Sequence, residues 1–319
     1  MCAIPASHLT VTTMKKLLAL VLALAAAPSP AHAALKVVTT VEGLASIARE
    51  VGGDRVEATS LSRGIQDPHF VDANPNLAVK LRQADLLVDV GLDLEIGWLP
   101  PLVNQSRNPD IQPNGRRRFT AASAVSVMEV PRGPVDRSMG DLHPAGNPHF
   151  LSDPRRIERV AAALTSKLAE LDPGGASDYA ARLEAFRARL RDAERRWKAE
   201  LAPVQGHKVV PHHNSLTYFL DWAGLTAAAY LEPKPGIAPP PSHLAEVVGI
   251  VKAEAVKAIL VENYYDQRSA EIVARHSGAK VVRIPGDVGG FRDERGVLDP
   301  KDWFGYMDAL VKLVTGALT

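Results

Sequence analysis

Apolar positions along the chain form two kinds of pattern, short unbroken runs and helical stripes, and the two alternate. LKVVTT at residues 35–40 is a β-rich run that predicts a buried strand. GLASIAREVGG follows as a helix ending on a glycine pair suited to a C-cap. VEATSL predicts a second strand. NPNLAVKLRQAD predicts a helix starting near Asn74 with Pro75 in its first turn, and it leads into LLVDVG, a third buried strand. Strand and helix in alternation predict a parallel sheet with helices on its faces.

Residues 104–147 interrupt this pattern. They are rich in Asn, Pro, Gly and Arg, with a weak strand expected at residues 124–130, and RSMGDLHPAGNP reads as a surface loop. A helix is expected from about Asp153, with Pro154 at its first position. The clearest stripe lies in residues 177–201, where Tyr179, Leu183, Phe186, Leu190, Trp197 and Leu201 are spaced by 4, 3, 4, 7 and 4. A helix of that length runs roughly 40 Å, more than one small lobe needs.

The alternation restarts at Lys208. VVPHH is a strand entering a loop, LTYFLDWAG and HLAEVVGIVKAEA are helices, AILVEN is a strand, RSAEIVARHSG a helix, KVVRIP a strand, and WFGYMDALVKLVTGAL a last helix. IAPPPSH is a stiff Pro-rich connection inside this second half. The expected fold is α/β, with two lobes that each carry a mainly parallel β-sheet flanked by helices, joined by one long linker helix. The expected boundaries are 34–172 for the N-terminal lobe, 173–203 for the helix and 204–319 for the C-terminal lobe.

The first 33 residues fall outside that fold. Met14-Lys15-Lys16, the run LLALVLALAAAP and then Ala31-His32-Ala33 form the pattern of a signal peptide, with Met14 as the start and cleavage after Ala33. The run is shorter than the about 20 residues a bilayer span takes. No polar stripe interrupts it, which argues against an amphipathic surface helix. Of 319 residues, 37 are basic and 36 acidic, a net charge of +1, and losing Lys15 and Lys16 makes it −1. That balance points to neither nucleic acid nor an anionic membrane as partner. The one cysteine, Cys2, would leave with the leader, so no disulfide is expected. Cys2 also precedes the apolar run, which is the wrong place for lipid attachment at a cleavage site. The expectation is a freely soluble periplasmic protein, not lipid-anchored.

Ten histidines remain to be placed. His8 and His32 belong to the leader, His276 suits a helix C-terminus, His243 a helix start and His207 a surface turn. His69, His149 and His213 each follow a predicted strand or sit in the loop after one, where open α/β sheets gather ligands. Two of them repeat a local pattern, Pro68-His69-Phe70 and Pro148-His149-Phe150. A preceding proline restricts the loop backbone and lowers the entropy lost when the imidazole is ordered around an ion. Imidazole is the usual nitrogen ligand of zinc and similar metals. On spacing alone, a solvated loop histidine and a metal ligand remain open alternatives.

In order along the chain, VVTT, GLASIAREVGGDRVEATSL, QDPHF, ADLLVDVGLDLEIGWLPPLV, GNPHFLSDP, YAARLEAFRARLRDAERRWKAEL, KVVPHHNSLTYFLDWAGL and ILVENYYDQRSAEIVARHSGAKVV resemble the zinc- and manganese-binding proteins of bacterial ABC importers, the cluster A-I solute-binding family. The resemblance spans nearly all of the chain after the leader. It implies a metal site in the cleft between lobes, with His69, His149 and His213 as ligands. It implies an acidic fourth ligand from a late loop, here Asp287 in IPGDVGG, with Glu262 at the end of ILVEN as the competitor. Three imidazoles and a carboxylate suit tetrahedral zinc, and manganese prefers more oxygen, so zinc is the expected ion. The resemblance further implies a long helix that keeps the lobes rigid, a cognate permease and its ATPase as partners, a periplasmic metallochaperone as a further candidate, and a monomer. His143, in GDLHPAGNPH, reads either as an auxiliary metal-capturing residue or as part of a plain surface loop.

A zinc hydrolase is the rival reading, with His212 or Glu262 as general base. No H-E-x-x-H helix, G-x-S-x-G elbow or phosphate-binding glycine loop supports it. An adhesin is the other alternative, and the missing lipid-attachment cysteine argues against surface display.

Overall fold

A computed structural model describes residues 33–133, 135, 139–292 and 299–319. Apart from Ala33, the expected leader lies outside these residues, as do Cys2, His8 and His32. Residues 34 to 319 form one compact unit. It contains two four-stranded sheets, both wholly parallel and both built in the same order.

In the first sheet, β1 (Leu35–Thr39) lies between β2 (Val56–Ser60) and β3 (Leu86–Asp89), and β4 (Arg118–Thr120) borders β3. In the second, β5 (Lys208–Pro211) lies between β6 (Thr226–Ala227) and β7 (Ala258–Glu262), with β8 (Lys280–Ile284) beyond β7. Each sheet reverses its winding direction between its first and third strands, the position where ligands collect beyond the strand ends. The second-sheet edge strand β6 is only two residues long and leaves no sequence signal.

Both faces of each sheet are covered, so the strands read as apolar runs. Successive residues still go to opposite sides. Val37, Leu86 and Val88 pack with α1 (Glu42–Gly52), while Val38 and Leu87 pack with α2 (Pro75–Arg82) and α3 (Leu99–Ser106). In the second lobe, Val209, Leu260 and the buried residues of α6 (Thr217–Ala223) join the same core as Val37, whereas Val210, Ile259 and Val261 pack with α7 (Pro241–Ala253) and α8 (Arg268–Ser277). One apolar core therefore runs through both lobes.

The spine of that shared core is α5 (Ala176–Leu201), which follows α4 (Pro154–Leu171). All six stripe residues expected from the spacing are buried on it, and Ala193 joins them. Its 26 residues span about 39 Å. Arg189 on this helix ties the lobes directly. It donates to Glu50 of α1 at 2.6 Å and to Asp302 at 2.9 Å, the residue that caps the last helix, α9 (Trp303–Leu318). Trp303 adds two more ties, taking the Ser46 hydroxyl as acceptor for its backbone N–H and the Leu151 carbonyl for its indole.

Local signals placed the helix starts well. Asn74 caps α2 with Pro75 following, and Asp153 caps α4 with Pro154 following. The strand expected at residues 124–130 does not form. Ladder pairing stops at Thr120, and the Met128 N–H and carbonyl are taken instead by the Tyr218 hydroxyl and the Asn147 N–H.

Candidate metal centre

His69 lies in the loop after β2, on a turn built by its own neighbours. The Asp67 carboxylate accepts both the His69 backbone N–H, at 3.0 Å, and the ring at Nδ1, at 2.7 Å. The Pro68 carbonyl between them accepts the buried Trp98 indole N–H at 2.8 Å. His149 repeats the device, with the Asn147 side-chain oxygen accepting its backbone N–H at 2.9 Å. The repeated Pro-His is thus the visible part of a longer pattern, Asx-Pro-His, in which the Asx side chain closes the turn and the proline stiffens it. Asn147 is fixed in turn by Glu129 and the Asn214 carbonyl through its amide, and by Tyr218 at its own carbonyl.

His213 reaches the same place from the second lobe, two residues past β5. The ladder continues through the His212 N–H to the Leu260 carbonyl. The His213 ring is turned by Glu232, whose Oε2 lies 2.7 Å from Nδ1. With Nδ1 occupied on His69 and His213, Nε2 is the nitrogen each presents. On His149, Nε2 is buried and has no hydrogen-bond partner among the described residues.

The three rings converge. One ligand atom from each of His69, His149 and His213 lies within 4.8 Å of the other two. Ring centres stand 5.1, 5.3 and 5.2 Å apart. Imidazoles bound tetrahedrally at roughly 2.0–2.1 Å would have centres about 5 Å apart. The sequence-expected trio is therefore brought together across the lobes. A cavity of about 20 Å³, room for one water-sized particle, is lined by His143, His149 and His213.

Electrostatics around the cluster divide into two kinds. Burial, with the charges of His69, His213 and His143, pushes His149 well below its ordinary value. Burial likewise lowers His143 to about 4, helped by His69 and His213. Both rings are neutral at neutral pH, the form that binds a metal. Burial opposes protonation of His213 too, but the hydrogen bond and charge of Glu232 outweigh it and raise the ring's affinity for a proton. Glu232 is the complement: burial works against its charge, yet its bonds to His212 and His213 hold it down at about 2. Asp67 also ends below its ordinary value, because the His69 contacts overcome burial.

Asp287 is not brought into this set. Its Oδ2 accepts the Gly43 N–H at 3.2 Å, and backbone contacts to Glu42 and Val288 add to it. It sits at the N-terminus of α1, where Val41, the N-cap residue, supplies no side-chain cap. The carboxylate therefore serves the exposed amides and positive end of a first-lobe helix. Enclosure, with the charge of Glu42, raises it to about 6. Glu262, the competitor, is buried, and its Oε1 takes the Ser215 hydroxyl while Oε2 has no partner among the described residues. Among the described residues no carboxylate belongs to the 4.8 Å set. Asp287 and Glu262 instead line a second cavity of about 60 Å³ together with His149.

Four supporting residues carried no weight in the sequence reading. Asp67 and Asn147 had a usable signal, two residues before each histidine. Glu232 and Tyr265, whose ring stacks on His212 at 4.4 Å, had none, because their proximity exists only in the folded lobe. His143 approaches the cluster at its edge: its Nε2 is 3.4 Å from His69 Nε2, but it is not part of the 4.8 Å set.

Two like-wound parallel lobes with buried imidazoles gathered between them define a protein that holds a divalent metal ion. Residues 37–317 match the family described as zinc-uptake complex component A, periplasmic, and the chain belongs to that family. The manganese ABC transporter substrate-binding lipoprotein PsaA of Streptococcus pneumoniae is 25% identical over 252 residues, which cover 77% of this chain and 78% of the relative. The iron ABC transporter substrate-binding lipoprotein MtsA of Streptococcus pyogenes serotype M1 is 23% identical over 252 residues, 77% and 78% of the two chains. The crystal structure of ZnuA superposes with a TM-score of 0.75 at 23% identity, covering 90% of this chain and 100% of that one. The solute-binding protein FpvC from Pseudomonas aeruginosa, in complex with nickel, gives 0.72 at 21%, covering 89% and 97%.

The family is one of metal-binding transport components, which carry out no catalysis, and the chain is accordingly the metal-binding component of an uptake complex. One expectation is overturned. The relatives named for manganese and iron are lipoproteins, which conflicts with a protein that is not lipid-anchored. That expectation rested on the place of Cys2 relative to the apolar run, and Cys2 lies outside the described residues.

Proposed function

We propose that this protein captures zinc outside the cytoplasm, using His69, His149 and His213 as ligands, and passes it to the permease for import. In this reading residues 14–33 are the export leader and the protein works as a monomer. The observation that carries it is the mutual approach of three imidazole nitrogens within 4.8 Å, with no carboxylate oxygen of the described residues among them. Nitrogen-rich sites favour zinc over manganese, both by ligand softness and by the general order of divalent affinities. The arrangement also suits transport. The ligands come from both lobes, so the ion is enclosed by folded protein and leaves when loops on either side move.

A manganese or iron cargo is the second reading. Relatives named for those ions favour it, and so does Glu262, whose unpartnered Oε2 is an oxygen that a harder ion would recruit.

Native mass spectrometry of metal-stripped protein, titrated with zinc, manganese and iron(II) in competition, tests the choice. One equivalent of zinc should displace the others, and His69→Ala, His149→Ala and His213→Ala should each cut its retention sharply. A preference for manganese would overturn the zinc reading. Normal binding in all three variants would overturn the site.

A further inference from the structure

Three imidazoles leave a tetrahedral ion one position short, and the expected carboxylate caps a helix instead. We propose that His143 fills that position as a direct ligand, making an all-imidazole site. This rests on the reading that the cluster binds a divalent cation.

Distance is the first argument. Two nitrogens bound at roughly 2.0–2.1 Å to one tetrahedral zinc lie about 3.3–3.4 Å apart. His143 Nε2 and His69 Nε2 are 3.4 Å apart. The His143 ring centre is 5.5 Å from that of His69 and 6.2 Å from that of His149, against 5.1–5.3 Å within the trio. Bringing His143 to the spacing of the trio requires its loop to move inward toward His149. The 20 Å³ cavity already has His143 in its wall.

Orientation is the second argument. A metal-bound imidazole commonly spends its other nitrogen on a carboxylate or carbonyl. His69 has Asp67 and His213 has Glu232, each at Nδ1, and the Leu92 backbone beside His143 favours a proton on that ring. Leu92 belongs to a deliberately shaped turn. Gly91, Leu92 and Asp93 have φ of 88°, 56° and 63°, left-handed values that non-glycine residues adopt at a cost. The buried Glu95 carboxylate holds the turn, accepting the Val90 N–H at 2.7 Å, the Gly91 N–H at 3.2 Å and the Thr40 hydroxyl at 2.6 Å.

The loop carrying His143 is tied at its other side as well. The Asp141 N–H donates to the Pro235 carbonyl at 2.8 Å, in the turn whose Gly236 N–H is held by Glu232. A first-lobe segment thus crosses to the second lobe at the point where His213 is oriented. Charge completes the case. The two positive charges of the ion are matched by Asp67 and Glu232, one hydrogen bond behind the rings, so neutrality requires no coordinated carboxylate.

The test uses the full exported chain, stripped and reloaded with zinc or cobalt(II), as wild type and as His143→Ala, His143→Gln and His149→Ala. Zinc affinity is read by chelator competition, and cobalt coordination by visible absorption and by hyperfine-shifted imidazole N–H resonances. His143→Ala should lower zinc affinity by more than the roughly 10–100-fold that loss of an outer hydrogen-bond partner costs. Both His143 variants should lose one shifted N–H resonance, and the cobalt bands should weaken as water enters the fourth position. Unchanged cobalt spectra and affinity in both His143 variants, with binding lost in His149→Ala, would overturn this proposal alone. Undiminished binding in His149→Ala as well would overturn the site on which it rests.

Discussion

Glu232 Oε2 lies 2.7 Å from His213 Nδ1 and 2.8 Å from the Gly236 N–H. One carboxylate thereby aims an imidazole at the cluster and fixes the turn that clasps the loop from the other lobe. Glu232→Gln retains the size but offers one carbonyl oxygen and no charge. Zinc affinity should fall roughly 10–100-fold with the fold retained, measured by chelator competition and circular dichroism. The pH profile should change too. The folded-state pKa of Glu232, about 2, is below its ordinary 4.5, so its stabilising effect is complete above 4.5 and lost as pH falls through 2. The shift of His213 is upward from 6.5, so its contribution is complete below 6.5 and lost as pH rises through the raised value. In metal-free protein the pair stabilises most between these limits, and the Gln variant should lose most stability there.

Asp287→Asn separates a helix cap from a metal ligand. As the acceptor at the start of α1, the carboxylate contributes about 0.5–2 kcal/mol, the range seen for side-chain caps. Zinc affinity should stay within about threefold of wild type, whereas a lost ligand would cost far more. Burial raises the carboxyl from 3.8 to about 6, so the folded state holds its proton more firmly than the unfolded chain. Wild-type stability relative to the variant should therefore grow as pH falls from 6 toward 4. Urea melts at several pH values, beside one zinc titration, decide it.

Asp287 also marks where the sequence stopped being readable. Residues that act through local geometry are legible: the six-residue stripe of α5, the capped prolines of α2 and α4, and the Pro-His pairs that mount His69 and His149. His213 was found by resemblance and by its place past a strand end. Residues that act across the two lobes were not legible. Whether Asp287 faces an ion or the Gly43 amide depends on how the lobes meet, and those residues are 244 apart in the chain. The sequence leaves His143 between an auxiliary metal-capturing residue and a plain surface loop, because its surroundings are Leu92 and the Pro235 turn, neither adjacent in sequence.

Trp197→Ala tests whether the shared core, not the ion, holds the lobes together. The indole is 1% exposed and packs on Trp222, Trp303 and Phe304, and its Nε1 donates to Asp308 at 2.6 Å. Truncation should cost about 3–5 kcal/mol, the range for large aromatic residues in a core. It should lower the denaturation midpoint of metal-free and zinc-loaded protein by similar amounts. Zinc affinity below the transition should be nearly unchanged, since no cluster residue touches Trp197. A loss confined to the metal-free form would show that the ion supplies the bond between lobes.

Gly64→Ala probes how closely the two lobes must approach. A Cβ at Gly64 would lie 2.1 Å from the Val288 carbonyl oxygen and 2.4 Å from that of Gly289. Both contacts are to backbone of the second lobe, which cannot yield as a side chain does. The Asn263 amide also donates to the Gly64 carbonyl at 3.4 Å, so the glycine sits inside the interlobe seam. Relief requires the loop bearing His69 to move away from the second lobe, and that separates His69 from His213. Stability should fall by about 1–3 kcal/mol, as for overpacked sites, and zinc affinity should fall with it. The control is Gly249→Ala on an exposed face of α7, where a new Cβ meets nothing within 4 Å. That change should raise stability by about 0.5–1 kcal/mol and leave affinity alone. Thermal melts and chelator competition on both variants check it. If Gly64→Ala binds zinc as tightly as wild type, the His69 loop can be displaced without opening the cluster, and contact between the lobes does not govern the site.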